Sequence, residues 1–222
     1  MGKKKENTTT KIVCLSDTHG SHGNLRLNRW LKNNPAEIFL FAGDYQYNSY
    51  DNGEDFIEWL SNLPYKHKVI VPGNHDGNFD IIREKCKNYD NIHFIIHNSI
   101  KIEGIKFFCS AYSRTFGDWW FMESEDVLEY LYEKIPEDIN VLITHTPPFG
   151  GLDQTVHGIL AGSTSLNHRI NKLPNIKYNI FGHIHENFGE IKIEKVKYIN
   201  CSIVDEKYYP KNLPVIFEYK KD

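Results

Sequence analysis

The chain has 222 residues, of which 40% are hydrophobic and 25% are charged, and its formal net charge at pH 7 is −3. This composition is that of a soluble globular protein long enough to bury a core of its own. A negative net charge argues against binding to duplex nucleic acid. No apolar run approaches the roughly 20 residues that a transmembrane helix needs, so no membrane association is expected.

The first residues of the chain and its cysteines indicate the cellular compartment of the protein. Residues 1–10 are rich in Lys and Thr and are expected to form a flexible basic tail before a single domain over residues 11–222. This start lacks the apolar segment of a signal peptide. The cysteines are widely spaced and form no CxxC pair, so buried free thiols are expected at Cys14, Cys86, Cys109 and Cys201. These features predict a cytoplasmic protein and leave its oligomeric state open.

The first half of the chain alternates between predicted strands and predicted helices. Strands are predicted at 11–16, 37–42 and 68–71, and helices at 24–34, over the segment from Phe56 to Leu60, and at 80–87. Asp51 and Glu54 have the spacing of a capping box in front of the second helix. Three strand-then-helix units in succession predict a largely parallel, layered sheet.

The second half of the chain mixes hairpins with further strands and helices. A β-hairpin is predicted from 99–102 and 105–109, helices at 124–134 and 164–172, and strands at 140–144, 178–181, 191–193, 197–200 and 215–219. Helices on the outside of two mixed β-sheets accommodate this mixture best. The predicted fold class is therefore α/β, an αββα sandwich without an internal repeat or linker.

Five short blocks of potential metal ligands fall at the ends of predicted strands. In chain order they are Asp17-Thr18-His19, Gly43-Asp44, Gly73-Asn74-His75-Asp76, Thr144-His145 and Gly182-His183-Ile184-His185. Ligands of open α/β sheets bind beyond the carboxyl ends of the strands, where these blocks would converge. The pairs Asp17/His19 and His183/His185 are each separated by one residue, so their side chains would point to the same side of an extended backbone. The glycines before Asp44, Asn74 and His183 would allow sharp turns and a close backbone approach.

Each block alone is weak evidence for a metal site. A lone His is usually solvated or hydrogen-bonded, and an Asp after a strand is often a helix cap or a turn former. Five blocks in order at strand ends together predict one dinuclear site at the carboxyl ends of the strands. Mixed imidazole and oxygen ligands suit Mn²⁺, Fe or Zn²⁺, whereas an all-oxygen set would suit Mg²⁺ or Ca²⁺.

The blocks D-x-H, G-D, G-N-H-D, a later H and G-H-x-H, in this order, resemble the calcineurin-like metallophosphoesterase superfamily from about residue 11 onward. Five longer stretches are similar to the MPPED subfamily of small phosphodiesterases, namely 59–65, 72–75, 144–148, 181–189 and 198–202. The resemblance implies two divalent metal ions, with Mn²⁺ expected and Fe or Zn²⁺ as alternatives. It assigns the ligands Asp17, His19, Asp44 and His185 to metal one, and Asp44, Asn74, His145 and His183 to metal two.

Such a pair of ions suits the hydrolysis of a phosphate ester. Two ions can clamp a phosphoryl group while a hydroxide that bridges them attacks phosphorus in line with the leaving group. Asp44 would bridge the ions, and His75 is the predicted general acid that protonates the departing alkoxide. The alternative for His75 is a hydrogen bond within its turn. Asp76 either orients His75 or forms the turn, and the second role is favoured.

Substrate contacts are predicted outside the five blocks. Trp119 and Trp120 beside Arg114 would stack a base and bind a phosphate, the alternative being an anchor for their loop. His157 lies in the glycine-rich loop after His145 and is a further candidate contact. Tyr47 has the spacing of the iron-ligating tyrosine of purple acid phosphatases, a family that lacks the first-block His. Packing or a substrate contact is therefore expected for Tyr47.

The predicted function is that of a metal-dependent phosphodiesterase. The MPPED resemblance implies cyclic nucleotides, with 2′,3′-cyclic ones favoured, or similar small phosphodiesters as substrates. A phosphomonoesterase or a protein phosphatase is the alternative, although Tyr-Gln-Tyr-Asn follows Asp44 where protein Ser/Thr phosphatases have V-D-R-G. A non-catalytic protein-binding scaffold of the same fold is disfavoured because every expected ligand is present.

Overall fold

The computed structural model describes residues 9–47 and 53–221. Within these ranges the chain forms thirteen strands and five α-helices. The helices are α1 (Leu25–Asn33), α2 (Glu54–Asn62), α3 (Phe79–Cys86), α4 (Glu125–Tyr132) and α5 (Thr164–Lys172). All five coincide with predicted helices to within a few residues. Gly53 precedes α2 as its N-cap, while Asp51 of the expected capping box lies outside the described residues.

The first sheet contains five strands. They are β1 (Thr9–Leu15), β2 (Ile38–Ala42), β3 (His67–Val71), β4 (Ile92–Phe94) and β13 (Val215–Lys220). Their order is β13-β1-β2-β3-β4, with β1 to β4 parallel and β13 antiparallel to β1. The first strand begins at Thr9, two residues earlier than expected, and residues 1–8 of the predicted tail lie outside the described residues. The three-residue strand β4 was not predicted.

The second sheet contains six strands. They are β5 (His97–Ile102), β6 (Ile105–Ser110), β9 (Val141–Thr144), β10 (Tyr178–Phe181), β11 (Gly189–Ile193) and β12 (Val196–Asn200). Their order is β11-β12-β10-β9-β6-β5, with an antiparallel hairpin at each edge and parallel strands between. The predicted hairpin is thereby confirmed as β5 and β6. A small parallel ladder of β7 (Ser113–Arg114) and β8 (Met122–Glu123) was not predicted.

The two sheets pack face to face, and helices cover their outer faces. Strand β2 shows this arrangement, because all five of its residues are buried. Leu40 faces the second sheet and packs in the same cluster as Ile143 and Ile180, whereas Phe39 and Phe41 belong to the cluster beneath α1, α2 and α3. Helices α4 and α5 cover the other sheet through a third cluster. The αββα sandwich is confirmed.

Two further expectations concern the whole chain. All four cysteines are free and buried, as predicted. Burial in an apolar core raises the pKa of the Cys14 and Cys109 thiols, which keeps them protonated and unreactive. Among the described residues, every helix is too short or too polar to cross a bilayer.

Candidate metal centre

The five sequence blocks converge at one end of the sandwich. Asp17, His19, Asp44 and Asn74 follow β1, β2 and β3 of the first sheet, and His145, His183 and His185 follow β9 and β10 of the second. The sheets are joined there by a bridge between Ser16 and Ser202. All seven predicted metal ligands therefore lie together between the two sheets.

One group of side chains surrounds the position assigned to metal one. Asp17 Oδ1 lies 3.3 Å from His185 Nε2, which in turn lies 3.3 Å from His19 Nε2. His19 Nε2 is 3.7 Å from Asp44 Oδ2. Contacts of this length between groups that carry lone pairs are those of donors that can share one cation.

A second group adjoins the first through Asp44. His145 Nε2 lies 3.3 Å from Asp44 Oδ2, 2.9 Å from Asn74 Oδ1 and 3.2 Å from His183 Nδ1. The same carboxylate oxygen, Asp44 Oδ2, thus borders both groups. This is the position required of a ligand that bridges two ions.

The backbone at these ligands is unusual. Four of them have a positive φ although they are not glycines, namely Asp17 at 54°, His19 at 41°, Asp44 at 60° and His183 at 69°. The left-handed region is sparsely populated by such residues, and it persists only where the surroundings enforce it. Strands β1, β2 and β10 therefore end in sharp turns that direct these side chains into the space between the sheets.

Three of the glycines in the blocks are required by close approach. Gly43 has a φ of +97°, and a Cβ there would lie 2.4 Å from His145 Nδ1. A Cβ at Gly182 would lie 2.0 Å from Asp17 Oδ2. A Cβ at Gly73 would lie 2.2 Å from Asp44 Oδ1, so the expected close approach before Asp44, Asn74 and His183 is confirmed at all three positions.

Backbone carbonyls orient three of the imidazoles. The Nδ1 atoms of His19, His145 and His185 lie 3.0, 2.9 and 3.1 Å from the carbonyl oxygens of Gln46, Ala42 and Asp205, respectively. A proton on each Nδ1 donates to its carbonyl and orients the ring so that Nε2 points into the centre. These partners act through their main chain, so their residue types carry no signal in the sequence.

Asp76 has a structural role at the centre. Its Oδ2 accepts the backbone N–H groups of Asp44 at 2.9 Å and Gly73 at 2.7 Å, and its Oδ1 accepts that of Gln46 at 3.0 Å. Asp76 is fully buried, and burial raises its pKa well above the ordinary value, with a further contribution from the Asp44 carboxylate. It therefore fastens the second block to the third, which agrees with a turn-forming role.

Charge is distributed unevenly among the side chains of the centre. Burial lowers the pKa of His19 to about 4 and that of His183 to about 3, so both rings are neutral. Burial also disfavours a charge on His145, but the Asp44 carboxylate outweighs it and raises the pKa to about 10. The paired His145 in turn holds the pKa of Asp44 well below its usual range against the effect of burial. Buried carboxylates beside neutral imidazoles form a donor set that fits divalent cations.

The centre lies at the base of a cavity of about 700 Å³. The cavity is lined by Asp44, Asn74, His75, Arg114, Phe116, Trp119, Val156, His157, Ile159, His183, His185, Glu186, Glu206 and Tyr208, among others. The ring of His75 contacts His19 at a centroid distance of 4.8 Å and Trp119 at 4.3 Å. Its backbone N–H donates to Asp44 Oδ1 at 2.9 Å, so His75 is held beside the Asp44 carboxylate.

The predicted substrate contacts divide into two groups. Arg114, Trp119 and His157 line the cavity. Trp120 is not among its lining residues. Its backbone N–H donates to the Asn74 carbonyl, and its ring packs 5.8 Å from Phe79, which matches the alternative of a loop anchor.

Several residues at the cavity were missed in the sequence. Tyr208 was not predicted, yet its ring lies 4.7 Å from that of His19 and 5.2 Å from that of His185. Tyr47 is exposed and packs edge-on against Tyr208 at 6.2 Å, in keeping with the packing role expected of it. Phe116 and Glu206 belong to loops whose sequences carry no recognisable motif, whereas Glu186 directly follows His185 of the fifth block.

Comparisons with known proteins agree with this geometry. Residues 10–187 match the family model described as calcineurin-like phosphoesterase. The chain is 27% identical over 236 residues to human metallophosphoesterase domain-containing protein 1, covering 94% of this chain and 71% of that protein. The fold is similar to the Mycobacterium tuberculosis phosphopantetheinyl hydrolase, with a TM-score of 0.60, 13% identity and coverage of 90% and 92% of the two chains. A structure titled as a novel archaeal phosphodiesterase gives a TM-score of 0.50 at 17% identity, covering 93% and 99%.

Proposed function

This chain belongs to the calcineurin-like phosphoesterase family and is a metal-dependent phosphoester hydrolase, and we propose that its substrates are small phosphodiesters, with 2′,3′-cyclic nucleotides favoured. The observation that supports this proposal is the pair of ligand groups that share Asp44 Oδ2 at the base of the cavity. Two adjoining cation sites beside an open cavity are suited to binding one phosphoryl group between them.

The proposed metal ligands follow from the two groups. Asp17, His19, Asp44 and His185 would hold one ion, and Asp44, Asn74, His145 and His183 the other. The mixture of nitrogen and oxygen donors favours Mn²⁺, with Fe or Zn²⁺ as alternatives. When bound, the ions would attract the phosphoryl group and lower the pKa of the attacking water.

His75 is proposed as the general acid. It lines the cavity, and its backbone is tied to Asp44 Oδ1. The rings of Trp119 and His19 contact the imidazole, at 4.3 and 4.8 Å, and restrict its movement. From this position His75 would donate a proton to the oxygen of the departing alkoxide.

The walls of the cavity support a substrate with one phosphoryl group and an aromatic arm. Trp119 is 48% exposed and so retains a free face on which a base can stack, an interaction that contributes roughly 1–3 kcal/mol. Among the described residues that line the cavity, Arg114 is the one with a Lys or Arg side chain. Glu186 and Glu206 contribute carboxylates to the same lining. One guanidinium against two carboxylates suits a singly charged diester better than a polyphosphate.

A phosphoester panel with Mn²⁺ tests the substrate class. We expect 2′,3′-cyclic adenosine monophosphate to be hydrolysed with a higher kcat/KM than the 3′,5′-cyclic isomer, and both with a higher kcat/KM than adenosine 5′-monophosphate. A chelator should abolish turnover and Mn²⁺ should restore it, whereas Asp44→Asn should remove nearly all activity. A preference for the monoester would identify a phosphomonoesterase instead, and turnover by the metal-free protein would contradict the proposed chemistry.

Paired tryptophan variants test the stacking contact. Trp119→Ala should raise the KM for the cyclic nucleotide about tenfold, because a stacked base loses its platform. Trp120→Ala removes a neighbouring indole of similar exposure that does not line the cavity, so its KM should change less than twofold. Equal effects of the two substitutions would argue against base stacking on Trp119.

The cellular compartment is part of the proposal. Four buried free thiols are typical of a protein in a reducing environment, which supports the expected cytoplasmic location. Imaging of the tagged full-length protein in its own cells tests this expectation. Accumulation in an oxidising compartment would contradict it.

A further inference from the structure

The segment between β12 and β13 contributes a side chain to the site although it lies beyond the residues that match the family model. We propose that the hydroxyl of Tyr208 donates a hydrogen bond to a phosphoryl oxygen of the bound substrate, on the side of the cavity where metal one would lie. The inference rests on the phosphoester chemistry of the proposed function but not on the identity of the substrate.

A tight turn fixes the position of Tyr208. Asp205 Oδ1 accepts the backbone N–H groups of Lys207 and Tyr209, each at 3.0 Å, and the backbone N–H of Asp205 donates to the Tyr209 carbonyl at 3.0 Å. Tyr208 adopts a φ of 64°, which bulky residues rarely do. Backbone strain of this kind persists at functional sites where the surroundings enforce it. The turn therefore holds Tyr208 in one orientation.

The same turn also positions a predicted metal ligand. The carbonyl oxygen of Asp205 lies 3.1 Å from Nδ1 of His185, and it also accepts the backbone N–H of Tyr208 at 2.9 Å. One peptide group thus orients the imidazole of His185 and begins the bend that places Tyr208. As a consequence, the distance between the Tyr208 side chain and the centre is set by direct hydrogen bonds.

The ring of Tyr208 borders the open side of the centre. It packs edge-on against His19 and His185, with interplanar angles of 84° and 87°, and lies 6.4 Å from the ring of His75. Tyr208 lines the same cavity as Asp44 and His75 and remains 40% exposed. No hydrogen bond of its hydroxyl is found within residues 9–47 and 53–221, so this donor is available to a ligand.

The Tyr208 hydroxyl is suited to binding a phosphoryl group in this cavity. A phosphoryl group presents nonbridging oxygens that accept hydrogen bonds, and hydrogen bonds to a charged acceptor are stronger than neutral ones. Arg114 and His75 supply donors elsewhere on the cavity wall. Tyr208 supplies one beside His19 and His185, where the neighbouring ligands have no remaining N–H directed at the substrate.

Phosphate binding to the Mn²⁺-loaded protein tests the inference. Calorimetric titration with inorganic phosphate should show that Tyr208→Phe, which keeps the ring and loses the hydroxyl, binds about 10- to 100-fold more weakly than the wild type. Tyr209→Phe is the matched control, because this neighbouring tyrosine is 67% exposed and does not line the cavity. Its affinity for phosphate should remain within twofold of the wild type.

Metal content separates the proposed contact from a structural role. Elemental analysis should find the same number of ions in Tyr208→Phe as in the wild type. Loss of an ion, or a phosphate affinity within twofold of the wild type, would overturn the inference. If only Tyr208→Ala weakens phosphate binding, the ring acts without its hydroxyl and the inference is again overturned. A wild-type protein that binds phosphate but hydrolyses no diester would refute the proposed substrate class and leave this comparison intact.

Discussion

Asp76 offers a sharp test of how the centre is held together, because it is expected to act entirely through the backbone. Its carboxylate accepts three backbone N–H groups, two on Oδ2 and one on Oδ1. Asp76→Ala removes all three acceptors. Asp76→Asn can keep the oxygen that Asp44 and Gly73 share, and it then loses only the bond from Gln46.

The magnitude follows from these contacts. A buried donor left without an acceptor costs about 1–3 kcal/mol. Three such donors in Asp76→Ala amount to roughly 3–9 kcal/mol, from which the relief of a buried charge subtracts several kcal/mol. We therefore expect a net loss of about 3 kcal/mol for Asp76→Ala and about 1–2 kcal/mol for Asp76→Asn. For a chain of this length, these losses lower Tm by about 6–12 °C and 2–8 °C, respectively.

Activity should fall together with stability. The Asp44 backbone, with its φ of 60°, loses the hydrogen bond that holds it, so the Asp44 carboxylate should shift. Changes to groups that orient metal ligands typically lower metal affinity or activity about 10- to 100-fold. The assays are thermal denaturation with and without Mn²⁺, metal titration, and kcat/KM for a phosphodiester.

A matched control lies on the next helix. Asp80→Ala removes an exposed carboxylate whose ion pair with Arg83, at 2.7 Å, is accessible to water. Its effect on stability should stay within about 0.5 kcal/mol. If Asp76→Ala retained the Tm and the kcat/KM of the wild type, the backbone contacts of Asp76 would not support the centre and the reasoning would be refuted.

Three further predictions concern the centre itself. His75→Ala should lower kcat for a cyclic nucleotide about 10²- to 10³-fold. It should lower kcat for bis(p-nitrophenyl) phosphate less than tenfold, because a good leaving group needs no general acid. Equal losses with the two substrates would exclude His75 as the general acid. The Asp44 carboxylate raises the pKa of His145 to about 10, and a metal ion can bind His145 only after its proton leaves. Metal affinity should therefore rise about tenfold per pH unit between pH 7 and 9. Calorimetry in buffers of different ionisation enthalpy should detect the proton that is released. Binding without proton release would contradict this pKa. Gly182→Ala places a Cβ 2.0 Å from Asp17 Oδ2 and should reduce the bound metal from two ions to one, whereas Gly23→Ala, where a Cβ meets nothing within 4 Å, should retain both.

Much of the fold could be predicted because most of its strands are apolar runs, and several of these runs are followed directly by a block of potential metal ligands. Buried apolar runs such as Ile38–Ala42 end directly at a block of ligands, so each block confirms the end of its strand. The strands Ser113–Arg114 and Met122–Glu123 were not predicted, because a strand of two residues is too short to show the alternation of buried and exposed side chains. The strand Ile92–Phe94 was missed for the same reason.

The candidate ligands were accessible to sequence reasoning because each is a side chain attached to a strand end. The residues that support them were not. Asp205 reaches His185 through a carbonyl oxygen, which every residue type possesses. Tyr208 reaches the same histidine through a turn that follows β12, 23 residues later in the chain. Such contacts depend on how the chain returns to the site, and local patterns do not encode that path.

The division of the ligands between the two sheets has a consequence for how the protein acquires its metals. Asp17, His19, Asp44 and Asn74 come from the first sheet, and His145, His183 and His185 from the second. Each predicted coordination sphere takes side chains from both sheets, so neither sheet alone can present a finished ligand set. A partly synthesised chain would therefore present only some of the predicted ligands of each metal site. With the proposed ligands, selection among competing metals would follow the docking of the sheets, and the geometry of the folded protein would decide which ion is retained.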